Sequence, residues 1–322
     1  MNFIDKKIKQ RISLIIKILF ISFFIYFILT KLVSIKLAIY LFKKSDKLLL
    51  LLALALGFIN IYLQYLRWSF ITRIAFHIND KTKSFKSLMI GLAGGFITPM
   101  RLGEIVGRNY IYSNVDIYTL SLASFVDKLF PLILTLVIGF ISSLLFTMKY
   151  FNFHYIIYYV AITIYLVVLI VLLLLIFNRK IFKYFVEKLS LIKKFGTIIN
   201  NVKQFKNIRL KSLLHLITLT TVYYICLISQ YAILVMSFSH NFSFFSFLYA
   251  GTILFFVLSL ASPLSISGIG VREITSIYVL SKFQISNEAS FNAGVYLFII
   301  NIFIPSLIGI IYLIKHKREI NA

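Results

Sequence analysis

Long apolar runs broken by short polar ones set the rhythm of this chain. Six runs approach or exceed the roughly 20 residues that a helix needs to cross a hydrocarbon core. They are Ile12–Thr30, Leu48–Leu66, Leu120–Thr147, Tyr155–Phe177, Leu213–Val235 and Ala289–Ile314. Two further apolar stretches, Leu88–Phe96 and Phe244–Ala261, each run into a proline-containing charged stretch, after which a short polar helix is predicted. The pattern predicts an all-α fold, a polytopic membrane helix bundle of six full spans with two re-entrant helical hairpins, Phe85 to about Tyr112 and Phe244 to about Leu280. The alternative counts the second hairpin as a full span. Leu32, Ile35, Ile39 and Phe42 recur at helical spacing within Lys31–Lys47 and predict an interfacial helix there. Arg179–Lys211, the longest polar segment, carries Ile181, Phe182, Phe185 and Leu189 and reads as an amphipathic cytoplasmic linker.

Each half of the chain reads span, span, hairpin, span. An odd number of crossings turns the second half over, so the hairpins would enter from opposite faces, as in an inverted repeat with a midplane site. We expect one integral membrane domain over 1–322, with repeats at about 12–147 and 155–314.

Composition agrees with a membrane protein: 60% of the 322 residues are hydrophobic. Charge adds an orientation. There are 34 Lys and Arg against 10 Asp and Glu, a net +24. With the N-terminus inside, Arg179–Lys211 alone places ten basic residues on the cytoplasmic side, against five in the external Lys31–Lys47. The positive-inside rule then puts both termini in the cytoplasm, with the chain in the inner (cytoplasmic) membrane. The basic excess suits anionic lipid headgroups. No basic domain stands outside the membrane, so nucleic acid is not an expected partner. The cluster Lys6-Lys7-Ile8-Lys9-Gln10-Arg11 before the first run is like the start of a signal peptide, but Leu29-Thr30-Lys31-Leu32 offers no small-x-small cleavage site, so an uncleaved first span is expected. Cys226 lies in an apolar run and reads as a small hydrophobe. His77, His154, His215, His240 and His316 lack ligand spacing, and neither metal nor cofactor is expected. No Walker loop, Asp-x-Asp or Gly-x-Ser-x-Gly pattern occurs.

The candidate chemistry lies in the two broken stretches. Charged residues flanked by spanning segments are costly, and non-helical backbone at membrane depth survives only within protein or beside water. In the first stretch Pro99 and Gly103 break the helix, and Arg101, Glu104 and Arg108 fall at i, i+3 and i+7, one helical face. In the second, Pro263 breaks the helix, Ser265 and Ser267 supply hydroxyls, and Gly268 and Gly270 precede Arg272 and Glu273. Helices opening after each break would aim amide donors and positive dipole ends inward, a setting for phosphate beside guanidinium groups. Asp127 and Lys128 sit about two turns into the following span, before Pro131, where Asp127 is expected to pair with Arg101, Arg108 or Arg272. Arg67-Trp68 reads as an interface anchor, and Pro305 as a kink.

Thr98-Pro99-x-Arg101-Leu102-Gly103-Glu104, Asp127-Lys128 and Pro263-x4-Gly268-x-Gly270-x-Arg272-Glu273 resemble the lysylphosphatidylglycerol synthase transmembrane-region family. These are flippase-like membrane domains, similar to the flippase half of the bacterial multiple peptide resistance factor. Met100 stands where that pattern often has Gly, and Lys128 where it has Arg. The resemblance implies a membrane protein that moves a lipid between leaflets. Family members with the full synthase also carry a soluble aminoacyl transferase domain. No stretch here reads as one, so lysylphosphatidylglycerol synthesis is not expected. Three functions follow as expectations. The first is translocation of an anionic or polyprenyl-phosphate lipid. The second is a membrane-embedded transferase using Glu104, Asp127 or Glu273 as base. The third is a non-catalytic partner of a separate synthase. Membrane lipids, a second copy of the chain and a separate synthase are the partners these readings involve.

Overall fold

The computed structural model describes residues 35–98, 101–151, 153–177, 210–261 and 267–321. The expected first span Ile12–Thr30 and nearly all of the linker Arg179–Lys211 lie outside the described residues, as do Pro99, Pro263 and Ser265. Among the described residues the fold is helical: α1 (Ile35–Lys44), α2 (Lys47–Phe76), α3 (Lys81–Ile97), α4 (Gly103–Ile111), α5 (Ile117–Tyr150), α6 (Tyr155–Phe177), α7 (Leu210–Ser239), α8 (Phe244–Ala261), α9 (Val271–Ser281), α10 (Asn287–Phe298) and α11 (Ile304–Asn321), with a π-turn at Ile299–Phe303 between the last two. Among the described residues five segments are long and apolar enough to cross a membrane: α2, α5, α7, α8, and Asn287–His316 in α10 to α11. The chain is a multi-pass membrane protein of helical-bundle type. Helix α8 is among the five, so this arm of the second hairpin is long enough to cross by itself.

Helix ends follow local chemistry. Asp116 caps α5 by accepting from Thr119 N–H at 3.1 Å, and Ser286 caps α10 by accepting from Ala289 N–H at 3.3 Å. Just before Pro305 the last span changes its turn. Proline has no N–H to return to the carbonyl of Asn301, and the backbone passes there through the π-turn, with Ile304 N–H bonding Ile299 O.

The helices group into two compact units. One comprises 1–61, 89–107 and 226–322, the other 62–88 and 108–225. Within the first, small residues let backbones meet. A Cβ on Gly94 would collide with the carbonyl of Gly103, and one on Gly107 with the carbonyl of Ile90, so α3 and α4 close into a hairpin at glycine faces. Buried polar groups tie the remaining helices. Asn60 and Asn301 both donate to Gln230 Oε1 at 2.8 Å, and Gln230 Nε2 donates to Ala53 O at 2.9 Å. Ser276 Oγ donates to Ser290 O at 2.7 Å, which makes Tyr231 the donor in its 2.7 Å bond to Ser276.

The second unit is organised around aromatic residues with polar tips. Trp68 Nε1 donates to Ser87 Oγ at 2.7 Å, and the Tyr112 hydroxyl lies 3.0 Å from Ser84 Oγ. Trp68, Phe76 and Tyr112 pack edge to face or tilted around them. Phe140 stacks on Tyr165 at 3.8 Å, and the Tyr158 hydroxyl donates to Thr147 O and Phe151 O, closing α5 against α6. Apolar positions such as Phe125, Ile141, Leu145, Ile156, Ile157 and Ile164 are left exposed, as a lipid-facing surface requires.

Candidate functional site

In the first unit the break between α3 and α4 is threaded by Thr98. Its hydroxyl donates to Gly94 O at 2.9 Å and accepts from Gly103 N–H at 2.7 Å. Arg101 N–H returns to Thr98 O at 3.2 Å, and Arg101 takes a left-handed conformation, φ 57°. A non-glycine residue held there is strained, and such strain gathers at functional positions. The turn brings Arg101 Nε to 3.5 Å from Glu104 Oε2. Glu104 is buried while the Arg101 side chain is 32% exposed.

The second break repeats the device with different residues. Ser267, Gly268 and Gly270 have φ of 54°, 76° and 84°. Both glycines therefore use backbone space that side chains disfavour. Glu273 reaches back over the first turn of α9 to accept from Gly270 N–H at 2.7 Å. Arg272 N–H bonds Gly268 O at 3.1 Å. The Arg272 guanidinium donates through Nη2 to Ser267 O at 3.1 Å and lies 5.3 Å from the centre of the Phe298 ring. Its Nη1 stands 3.9 Å from Glu273 Oε1 and, though buried, has no hydrogen-bond partner among the described residues.

The two breaks meet. Ser267 Oγ donates to Phe96 O, one residue before the end of α3, at 3.0 Å. Arg101, Glu104, Ser267, Gly268, Gly270, Arg272 and Glu273 thus share the first unit. At these helix starts three amides are already in use. The amides of Gly103, Gly270 and Arg272 are bonded to the chain's own oxygens.

Arg108, Asp127 and Lys128 belong to the second unit. Asp127 accepts from Arg108 Nη2 at 2.8 Å, one of the three partners expected for it, and from Arg67 Nε at 2.7 Å, which was not. Lys128 adds its field to the same carboxylate. Arg108 stacks on Trp68 at 3.8 Å, and Arg67 lies 5.3 Å from the Tyr223 ring. Arg67 and Trp68 are 4% and 0% exposed, so this pair is an internal clamp and not an interface anchor. The overlooked signal was the continuation of the apolar pattern past Arg67 to Phe76, which places the arginine inside a helix instead of at its end.

Among the described residues the buried charged side chains are Arg67, Arg108 and Arg272 with Glu104, Asp127 and Glu273, a balanced set. Arg101 stands outside that balance and is partly open. No group of three His, Cys, Asp or Glu suited to a metal ion occurs among the described residues.

Comparison with curated proteins and with solved structures gave no match. The family described as lysylphosphatidylglycerol synthase TM region matches residues 14–309. That stretch includes both broken motifs, Asp127-Lys128 and the helices that carry them, and the family ties the chain to membrane lipid function. The chain belongs to the lysylphosphatidylglycerol synthase transmembrane-region family.

Proposed function

We propose that this protein moves an anionic, phosphate-bearing lipid between the leaflets of the inner membrane, with both termini in the cytoplasm and the two hairpins related as an inverted repeat. Arg101 and Arg272 receive the head group. The carrying observation is the junction of the two breaks: the Ser267–Phe96 bond joins the tips that carry Arg101 and Arg272, from distant parts of the chain. An anion at these tips would balance the partly open Arg101 and satisfy the buried Nη1 of Arg272. Glu104 and Glu273 orient the guanidinium groups. Glu273 is already committed to Gly270 N–H, an arrangement that suits a positioning residue better than a general base. Asp127, with Arg67 and Arg108, holds the second unit together.

The test is leaflet exchange in vesicles of phosphatidylcholine with fluorescent phosphatidylglycerol. Acceleration by the wild type that is lost in Arg101→Gln and Arg272→Gln, with unchanged thermal stability, supports the reading. Equal exchange by wild type, variants and protein-free vesicles sinks it.

A further inference from the structure

Helices α3 and α11 pack in an antiparallel register that changes character toward the hairpin tip. A Cβ on Gly309 would collide with the Met89 carbonyl and come within 2.9 Å of Ala93 Cβ, so the backbones touch there. One turn on, Ser306 Oγ donates to Leu92 O at 3.3 Å. A further turn on, the contact is made by rings: Phe96 and Phe303 have centroids 6.2 Å apart. Phe298 completes a triangle, 6.1 Å from Phe96 and 6.3 Å from Phe303.

This triangle has two different outer neighbours. On one side Phe303 is 38% exposed, on a helix whose neighbouring Leu307 and Ile311 also face outward. On the other side the Arg272 guanidinium sits against Phe298, and Ser267 bonds the backbone of Phe96. Three rings thus lead from the lipid-facing surface to a buried arginine. Phe303 also ends the π-turn, next to Pro305, where regular helical bonding is already interrupted. A local change of register there disturbs fewer bonds than in an uninterrupted helix.

We propose that the Phe96–Phe298–Phe303 triangle binds the hydrocarbon chain of the lipid and is the portal by which that chain passes between bilayer and site. The inference rests on the head-group reading above. A soluble anion has no use for an apolar path, and a neutral hydrocarbon none for a buried guanidinium. An amphiphile with an anionic head uses both ends.

The full chain in nanodiscs containing phosphatidylglycerol with a mid-chain diazirine tests this. After irradiation, peptide mass spectrometry should find adducts at Phe96 and Phe298 as well as at outward-facing Ile311. Phe303→Trp narrows the portal and Phe303→Ala widens it. The yield at Phe298 should differ by roughly tenfold between them, the ratio that accompanies about 1.4 kcal/mol. Phe303→Leu should shift it in the alanine direction, and serves if the alanine variant aggregates. Adducts confined to Ile311 and other outward positions in the wild type and the widened variant alike overturn the portal, even if leaflet exchange is accelerated. Adducts at Phe298 that persist in an Arg101→Gln, Arg272→Gln double variant uphold the chain site and remove the head-group reading instead.

Discussion

Asp127 holds Arg67 and Arg108 at 2.7 and 2.8 Å, whereas Glu104 and Glu273 stand 3.5 and 3.9 Å from Arg101 and Arg272. Both regions join arginine to carboxylate in a membrane protein, yet they are built for different ends. In the first, one carboxylate spends both oxygens on two guanidinium groups, and aromatic faces cover the cations. Such a cluster gains from closeness and loses heavily if one partner is taken away. In the second, the pairs are longer, at 3.5 and 3.9 Å, and the Arg101 side chain is partly open. Short distance with full burial marks charge used for cohesion. On the proposed function, longer pairs with a partly open arginine are what leave charge for a ligand.

The contrast breaks most readily at Asp127. Asp127→Ala leaves Arg67 and Arg108 facing one another in a buried site and should cost about 3–5 kcal/mol. Thermal unfolding and gel filtration in detergent check this, and an unchanged transition would mean that the cluster does not hold the unit together. Arg272→Gln should do the reverse, leaving the transition nearly in place while leaflet exchange falls by roughly tenfold, or about 1.4 kcal/mol in the barrier. A variant that unfolds and also loses exchange would erase the distinction between the two regions. Thr98→Val removes the hydroxyl that bridges Gly94 O and Gly103 N–H, and should weaken the hairpin by about 1 kcal/mol. Faster hydrogen exchange at the Gly103 amide is the readout. Asn301→Leu should have the smallest effect, near ~0.6 kcal/mol for an interhelical hydrogen bond in a membrane. If its thermal shift rivals that of Asp127→Ala, cohesion lies in the amide triad as much as in the charges.

Much of the fold was legible because a bilayer enforces a simple rule on sequence. Tyr155–Phe177 and Phe244–Ala261 were read from apolarity alone and are helices with those bounds. Leu48–Leu66 was read too short, since Arg67 looked like an exit from the membrane when it is a mid-helix residue with a partner 60 positions away. The amide triad escaped for the same reason. Asn60 and Gln230 are 170 residues apart, and each alone is an unremarkable polar residue in an apolar run. The two breaks were legible from proline, glycine and charge. Gly270-x-x-Glu273 has the spacing by which a carboxylate returns to its own helix start, and Glu273 does so.

From the chain alone came the helical class, the multi-pass character and the two interrupted, charged hairpins, because apolar length and helix-breaking residues act within a few turns of sequence. Only tertiary structure decided which charges are spent on one another and which remain available. That choice depends on distances of a few ångströms between segments remote in sequence, and on burial, which raises the cost of any unpaired charge. Arg67 and Arg272 are both buried arginines within apolar surroundings, and the first is clamped to Asp127 at 2.7 Å while the second stands 3.9 Å from Glu273.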